Sequence, residues 1–182
     1  GNANYTQYQD FAISVAANNP PLITFVFNST ISPDPSLGPN LGPGSSGFII
    51  NFTAFDADGN LNFSTGGINV TSNGIIRQNT SCLAYQGTGS VANFTCNVTM
   101  WWFDTPGTWN IGAFVLDNSS LSATNSSTVF QLGQTTGFES SPGNLTWNII
   151  APGSKNQTPT NSPILLNNTG NANISLGNIS LS

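Results

Sequence analysis

Hydrophobic and polar residues alternate with a period of two along most of this chain, in short runs separated by turn residues. This period is typical of strands that bury one face, and no window keeps the 3.6-residue period of an amphipathic helix. The pattern is carried by runs at 10–16, 22–28, 47–55, 67–77, 90–100, 107–116, 126–132 and 144–150. We therefore predict an all-β chain folded as a β-sandwich.

Turn residues separate these runs at three places where the chain must reverse. They are a Pro/Gly-rich loop at 33–44, the tight turn Asp58-Gly59-Asn60, and the turn Thr105-Pro106-Gly107. Glycine and asparagine supply the unusual backbone angles of such turns, and proline fixes the residue that opens them. The spacing of these breaks is typical of a sandwich of short strands.

The length of 182 residues suits one sandwich with additional terminal segments. Residues 151–163 are rich in Pro, Ser, Thr and Asn and predict a linker, after which two short apolar alternations follow. These alternations contain Ile164, Leu165, Leu166, Ile174, Leu176, Ile179 and Leu181. The predicted organisation is an N-terminal segment at 1–19, a sandwich at 20–134, and C-terminal strands with a linker at 135–182.

The chain is poor in charged side chains and rich in neutral hydrogen-bonding ones. Only 5% of the residues are charged, whereas an average soluble domain has about 25%, and the chain instead has 26 Asn, 22 Ser and 20 Thr. Disorder is the simplest alternative for such a polar chain. It is disfavoured by the 37% of apolar residues, the twelve Phe and the four Trp, because disordered chains lack the residues that build a core.

The acceptor motif for N-linked sugars, Asn-x-Ser/Thr, occurs fifteen times, whereas chance in this composition would give about six. The acceptor residues are Asn4, Asn28, Asn51, Asn62, Asn69, Asn79, Asn93, Asn97, Asn118, Asn125, Asn144, Asn156, Asn167, Asn173 and Asn178. These acceptors are modified only on exported chains. We expect a glycan coat to solvate this surface in place of charge, and an extracellular, cell-surface location.

Strand geometry strengthens the glycosylation hypothesis. Residues i and i+2 of a strand share a face, so the Asn and the hydroxyl of one motif lie on the same side. In the run 93–100 this predicts an outward set and an inward set of four residues each. The outward set is Asn93, Thr95, Asn97 and Thr99, and the inward set is Phe94, Cys96, Val98 and Met100. The same alternation recurs at 50–54 and 68–71.

Cys82 and Cys96 are the two cysteines of the sequence. An even pair in an exported chain favours a disulfide, which would close a loop of about fifteen residues and stabilise the fold by roughly 3 kcal/mol. A metal site would require further Cys or His ligands, and the sequence has no His. We predict a disulfide and no metal.

Catalysis and several classes of partner are disfavoured by the residues that the chain lacks. It has no His and seven scattered carboxylates, so we predict neither an enzyme nor a cofactor. The net charge is −5 with Arg77 and Lys155 as the only cationic side chains, which excludes the basic footprint of nucleic-acid binding. No apolar run approaches the roughly 20 residues of a membrane span, and the start at Gly1 suggests a processed chain without membrane insertion.

Two local features have alternative interpretations. Asp56, Asp58 and Asn60 around Gly59 could supply oxygen ligands to Ca²⁺, but the full loop spacing and its closing Glu are missing, so a turn between strands is the simpler explanation. The adjacent Trp101 and Trp102 would face opposite sides of a strand, one in the core and one where a sugar could stack. Such a ring more commonly packs under a neighbouring strand or subunit than against a sugar.

Two motifs resemble immunoglobulin-like and PKD-like surface domains. The stretch from Trp101 through Asp104-Thr105-Pro106-Gly107-Thr108-Trp109 to Asp117-Asn118 is similar to their penultimate strand, and 51–60 is similar to their second-strand turn. The resemblance covers residues 20–134 and implies an immunoglobulin-like sandwich. The chain departs from antibody domains because Cys82 and Cys96 are too close for the inter-sheet pair and Trp109 stands where Tyr is usual.

The overall type resembles archaeal extracellular filaments such as threads, which are glycosylated immunoglobulin-like subunits joined by a donated N-terminal strand. The resemblance implies a pilus-like homopolymer of identical copies. The candidate donor strand is 8–17, where Phe11, Ile13 and Val15 alternate with smaller residues. Two alternatives stay open: a module of an S-layer or adhesin-like protein, with 163–182 starting a following domain, and a carbohydrate-binding module that uses Trp101 or Trp102.

Overall fold

A computed structural model describes residues 16–28, 36–38, 40–88 and 90–175, which form eleven strands and no helix. The strands are β1 (Leu22–Asn28), β2 (Ser36–Leu37), β3 (Ser45–Phe55), β4 (Gly67–Ser72), β5 (Ile75–Asn79), β6 (Leu83–Thr88), β7 (Val91–Trp101), β8 (Gly107–Leu116), β9 (Ser122–Leu132), β10 (Phe138–Ser141) and β11 (Leu165–Asn168). The all-β sandwich predicted from the alternation is confirmed.

Strands β1 to β9 form two sheets that enclose one core. The four-stranded sheet has the order β1-β3-β7-β6, and the five-stranded sheet has the order β2-β9-β8-β4-β5. All neighbouring strands are antiparallel except β2 and β9, which pair in parallel over two residues. Each sheet turns one face inward, so the core lies between them.

The core consists of the inward residues of alternating strands. β3 and β7 pair over eleven residues, and every second side chain is buried along β7 and along β3 from Phe48 to Ala54. Phe52 and Phe94 stack with ring centroids 4.6 Å apart, and Phe48 meets Phe130 at 4.7 Å. Full burial of such a side chain stabilises the fold by roughly 1.5–3 kcal/mol, so these contacts hold the two sheets together.

The predicted strand runs require three corrections. The run 67–77 is two strands, because Asn73 and Gly74 adopt positive φ angles of 47° and 81° and close a hairpin between β4 and β5. The run 144–150 is not a strand, since none of the described strands pairs with it. β6, β10 and the two-residue β2, which lies within the predicted loop 33–44, were not predicted.

The sandwich has two poles, which we name by the terminal segment attached to each. At the N-terminal pole, Leu22 at the start of β1 lies opposite Phe55 at the end of β3, and Leu61 forms a bridge with Asp117 just after β8. At the C-terminal pole, Ser45 pairs with Trp101 and the chain leaves β9 after Leu132. Chain entry into the sandwich and chain exit from it are therefore at opposite ends.

The C-terminal segment, residues 133–175, packs on the C-terminal pole. Its two strands, β10 and β11, form a separate two-stranded sheet. The amide of Gly42 donates to the carbonyl of Thr169 at 2.7 Å, and the amide of Ala172 donates to the carbonyl of Thr135 at 3.1 Å. Main-chain hydrogen bonds therefore attach this segment to the sandwich and to itself.

Candidate functional site

The predicted acceptor asparagines lie at the protein surface wherever their side chains are described. Asn4 and Asn178 lie outside the described residues, and the side chain of Asn28 is not described either. Six of the remaining twelve are half-buried, namely Asn51, Asn62, Asn69, Asn79, Asn93 and Asn125. Six are exposed, namely Asn97, Asn118, Asn144, Asn156, Asn167 and Asn173. Their glycosylation stays a prediction.

Three acceptors share the outer face of the four-stranded sheet, which we call the sequon face: Asn51 on β3, and Asn93 and Asn97 on β7. The alternation predicted for 93–100 is present, with the apolar set buried and the polar set outside. A Cβ atom at Gly47 would lie 2.8 Å from Oδ1 of Asn97, so the Asn97 side chain extends across this glycine. The three mid-strand asparagines therefore lie on the same face of one sheet.

Asn51 and Asn93 belong to motifs that hydrogen-bond each other. The hydroxyl of Thr53, which completes the Asn51 motif, donates to Oδ1 of Asn93 at 2.7 Å. The hydroxyl of Thr95, which completes the Asn93 motif, donates to Oδ1 of Asn51 at 2.8 Å. Both bonds use the amide oxygen, and the nitrogen that would carry a sugar is not used by either.

Other acceptors are bonded locally within their own motif. The hydroxyls of Ser64 and Ser127 donate to Oδ1 of Asn62 and Asn125, both at 2.7 Å. Nδ2 of Asn125 also donates to the carbonyl of Ile23 at 3.2 Å. The two hydroxyl bonds follow from the Asx-turn geometry of Asn followed two residues later by a hydroxyl, and the motif alone could have indicated them, whereas the bond to Ile23 joins distant parts of the chain.

The predicted disulfide between Cys82 and Cys96 is present. Cys82 immediately precedes β6, Cys96 lies on β7, and both sulfur-bearing side chains are buried. The bond therefore fastens the edge strand β6 to the centre of its sheet. In the chain-entropy model the loop it closes corresponds to roughly 3 kcal/mol of stability.

The acidic stretch 56–60 forms the predicted turn. The buried carboxylate of Asp56 accepts a hydrogen bond from the amide of Asp58 at 2.8 Å, and Gly59 has a positive φ of 71°. Within the described ranges, no group of three or more His, Cys, Asp or Glu side chains could hold a metal ion. The Asp56 carboxylate thus serves the backbone of the turn.

The tryptophan pair does not divide between core and surface as predicted, because β7 ends at Trp101 and the chain turns there. Trp101 is 42% exposed, and its ring lies 6.2 Å from that of Phe103. The half-buried Trp102 covers Gly42, where an added Cβ would lie 2.5 Å from the indole. Trp102 is therefore occupied by packing against the 40–44 loop.

Arg77 on β5 forms an ion pair with the fully buried Asp104 in the loop before β8. Its Nε donates to Oδ2 of Asp104 at 3.1 Å, a second guanidinium nitrogen donates to Oδ1, and the amide of Trp101 donates to Oδ2 at 2.7 Å. This carboxylate belongs to the motif that resembles immunoglobulin-like domains. Its position explains the motif as a structural element of the C-terminal pole.

Residues 16–19, the described end of the N-terminal segment, are attached to the N-terminal pole by asparagine side chains. Nδ2 of Asn18 donates to Oδ2 of Asp117 at 2.7 Å, and Nδ2 of Asn19 donates to Oδ1 of Asp58 at 3.1 Å. The candidate donor residues Phe11, Ile13 and Val15 lie outside the described residues.

The carboxyl of Asp117 at this pole has a lowered pKa. Burial raises the pKa of its carboxyl, but hydrogen bonds from the Asn18 side chain and from the amides of Leu121 and Ser119 outweigh burial, so the pKa lies below the ordinary value of 3.8. The ionised carboxylate therefore organises the turn after β8 and holds the incoming chain.

A seam separates β1 and β9, the neighbouring edges of the two sheets. In the described ranges, only Ser36 and Leu37 pair with the outer edge of β9, at its last two residues. Elsewhere the hydroxyl of Thr128 on β9 donates to the carbonyl of Val26 on β1 at 3.2 Å. Side chains, rather than a main-chain ladder, bridge this part of the seam.

Within the described residues there is no helix long and apolar enough to cross a membrane. Comparison with protein-family models, with curated proteins and with solved structures finds no match to this chain. The function is therefore argued from the geometry and chemistry of the chain itself.

Proposed function

We propose that this protein is the structural subunit of a glycosylated extracellular filament that assembles by strand exchange between identical copies. The strand order β1-β3-β7-β6 opposite β9-β8-β4 corresponds to the order A-B-E-D opposite G-F-C of immunoglobulin domains. This correspondence supports an immunoglobulin-like subunit, the type used in filaments of the thread kind. The fold alone does not specify the role, which rests on the terminal segments.

The observation that carries the proposal is that residues 16–19, the described end of the N-terminal segment, and residues 133–175 lie at opposite poles. Asn18 and Asn19 are bonded to Asp117 and Asp58 at one pole, and the C-terminal segment packs on the other. Eleven residues of β3 separate the poles, which at about 3.3 Å per residue is roughly 36 Å. A segment that leaves one pole can therefore enter the next copy along the same axis, which gives a head-to-tail polymer.

The seam between β1 and β9 is the acceptor that this proposal uses. A strand added there would form main-chain hydrogen bonds with a sheet edge, which supply affinity, while its alternate side chains enter the sandwich, which supplies specificity. The candidate donor at 8–17 would extend about 33 Å at 3.3 Å per residue, close to the length of the sandwich. Phe11, Ile13 and Val15 provide the apolar side required for insertion.

The distribution of acceptor asparagines supports an outward glycan layer. None of the twelve with a described side chain is fully buried, and they occur on both sheets and on the C-terminal segment. With 5% charged residues, a filament surface of this composition needs another solvating group. N-linked sugars at these positions supply it.

The test is to change one face of the candidate donor at a time in the native host. Ile13→Asp places a charge on the inserted face, and Ser14→Asp places the same charge on the opposite face of the same segment. We expect the first variant to give single subunits and the second to give filaments of normal length by electron microscopy. Normal filaments from Ile13→Asp, or from a chain without residues 1–15, would overturn the N-terminal donor strand. An absence of filaments from the natural chain as well would favour the S-layer or adhesin module.

A further inference from the structure

The sequon face combines acceptor asparagines with exposed apolar side chains in an ordered array. One row across the sheet runs Phe27, Asn51, Thr95 and Leu83 from β1 to β6. The next row runs Phe25, Thr53, Asn93 and Tyr85. Each asparagine therefore has an aromatic residue as its direct neighbour in its own row on one side and a threonine on the other.

The apolar ends of these rows are open to solvent. Phe25 is 57% exposed, Leu83 is 75% exposed and Tyr85 is 43% exposed, and the rings of Phe25 and Phe27 lie 5.2 Å apart. The middle of both rows is polar and hydrogen-bonded. Without a partner, this surface would expose apolar side chains on both sides of its uncharged polar middle. Exposed apolar patches of this kind mark surfaces that bind another group.

The reciprocal bonds between the two motifs fix the direction of both amides. Thr53 holds the oxygen of Asn93, and Thr95 holds the oxygen of Asn51, at 2.7 Å and 2.8 Å. An amide whose oxygen is fixed by a partner has its nitrogen fixed as well, because the group is planar. A substituent on Nδ2 would start from a defined position in the middle of its row, beside an aromatic residue.

We propose that the sequon face is a packing platform for the protein's own sugars: the sugar on Asn51 packs against Phe27, and the sugar on Asn93 packs against Tyr85. This inference rests on the glycosylation included in the proposed function and specifies where two of the glycans lie. Directly opposite residues of paired strands have Cβ atoms about 4.5–5.5 Å apart, so each ring is within reach of the first sugar on its neighbour.

Sugar chemistry fits this surface better than a protein partner does. A pyranose ring has C–H groups on its faces that pack on an aromatic ring, and hydroxyl groups around its edge that stay in water. The platform would therefore cover apolar side chains and present hydroxyl groups outward. Each sugar would be tethered through an asparagine in the same row as its aromatic ring, and the covering group would need no charge.

The experiment compares the glycoprotein from its native host with the same sequence made in a cell that lacks N-glycosylation. Tyr85→Ala is introduced into both forms, with Phe138→Ala as the matched control. Phe138 is 67% exposed on β10, outside this sheet, and lies opposite Asn168. Asn168 is the middle residue of the Asn167 motif and not itself an acceptor, and Asn167 faces the other side of β11 because successive strand residues alternate. We expect Tyr85→Ala to lower the denaturant midpoint of the glycoprotein but not that of the bare chain, and Phe138→Ala to affect both forms equally.

Two further measurements keep the proposal falsifiable if the bare chain does not fold. Asn93→Gln in the native host should abolish the effect of Tyr85→Ala, and sugar protons should show nuclear Overhauser contacts with the Tyr85 ring. Equal effects of Tyr85→Ala with and without the glycan would overturn the platform. Glycopeptide mapping separates the platform from the glycan coat of the proposed function. If Asn51 and Asn93 carry no sugar but other acceptors do, the platform alone is overturned. If no acceptor carries a sugar, the glycan coat is overturned as well.

Discussion

The sandwich and the C-terminal segment are held together in different ways. Among the described residues, 22 of the 23 buried hydrophobic side chains belong to the sandwich core, and Ala172 is the one in the C-terminal segment. All four residues of β11 are exposed. Alternation of apolar residues therefore produces burial in the first region and not in the second.

Amide hydrogen bonds replace apolar burial in the C-terminal segment. Oδ1 of Asn171 accepts from the amide of Thr135 at 2.7 Å, and its Nδ2 donates to the carbonyl of Gly133 at 2.9 Å. Nδ2 of Asn168 donates to the carbonyl of Ala172 at 2.7 Å. Each such bond contributes only about 1 kcal/mol net, so we expect this segment to open at far lower cost than the sandwich.

The sharpest form of this comparison uses one tryptophan in each region. Trp109 is fully buried, and its Nε1 donates to the carbonyl of Thr105 at 3.0 Å, whereas Trp147 is 46% exposed. Trp109→Ala should lower the free energy of unfolding by about 3–5 kcal/mol because it leaves a large cavity. Trp147→Ala should change it by less than about 0.5 kcal/mol. Denaturant unfolding followed by circular dichroism measures both, and similar losses would refute the contrast.

A smaller effect is expected from removing the amide that ties the C-terminal segment together. Asn171→Ala deletes the bonds to Thr135 and Gly133 and should weaken the segment by about 1–2 kcal/mol without affecting the sandwich. Hydrogen exchange should become faster at the amides of Thr135 and Ala172 and stay unchanged in β3 and β7. The control Asn148→Ala removes an exposed amide of the same segment and should alter neither. Faster exchange throughout the sandwich would show that the two regions form one cooperative unit.

The difference between the regions also explains which strands the sequence could predict. β8 at Gly107–Leu116 and β1 at Leu22–Asn28 were predicted with their observed bounds, and β3 and β7 within two residues, because each has one buried face and the hydrophobic pattern records it. The run 144–150 has a similar alternation but no pairing strand, and Ile149 is fully exposed. The alternation of hydrophobic and polar residues predicts the two faces of a strand, but it cannot reveal whether a partner strand exists.

The strands that were missed lack that burial signal. β6 is an edge strand on which Leu83 and Tyr85 are exposed, so its hydrophobic pattern carries no inward face. The hairpin at Asn73-Gly74 did have a signal, since Asn-Gly is a strong turn dipeptide, and it could have been found. At the candidate site, the outward placement of Asn93 and Asn97 followed from the alternation, whereas the bonds between the Asn51 and Asn93 motifs depend on strand register, which no local pattern specifies.

The smallest effect expected is a pH dependence confined to the sandwich, through Asp117. Its folded-state pKa is lower than the unfolded value of about 3.8, so its contribution to stability is complete above that value and is lost as the pH falls through the lowered pKa. Asp117→Asn should be less stable than the natural chain at pH 7, because an amide cannot accept from both Asn18 and the turn amides as the carboxylate does.

The difference in unfolding free energy between the natural chain and Asp117→Asn should therefore shrink as the pH is lowered below about 3.8, as measured by denaturant titrations at successive pH values. Asn148→Ala in the C-terminal segment provides the matched control, since it changes no titratable group. A constant difference between the natural chain and Asp117→Asn at every pH would mean that the hydrogen bonds of Asp117 do not depend on its charge. In that case the bond from Asn18 to Asp117 would persist in acid. Lowering the pH would then not destabilise the sandwich through Asp117, and this contrast with the C-terminal segment would be lost.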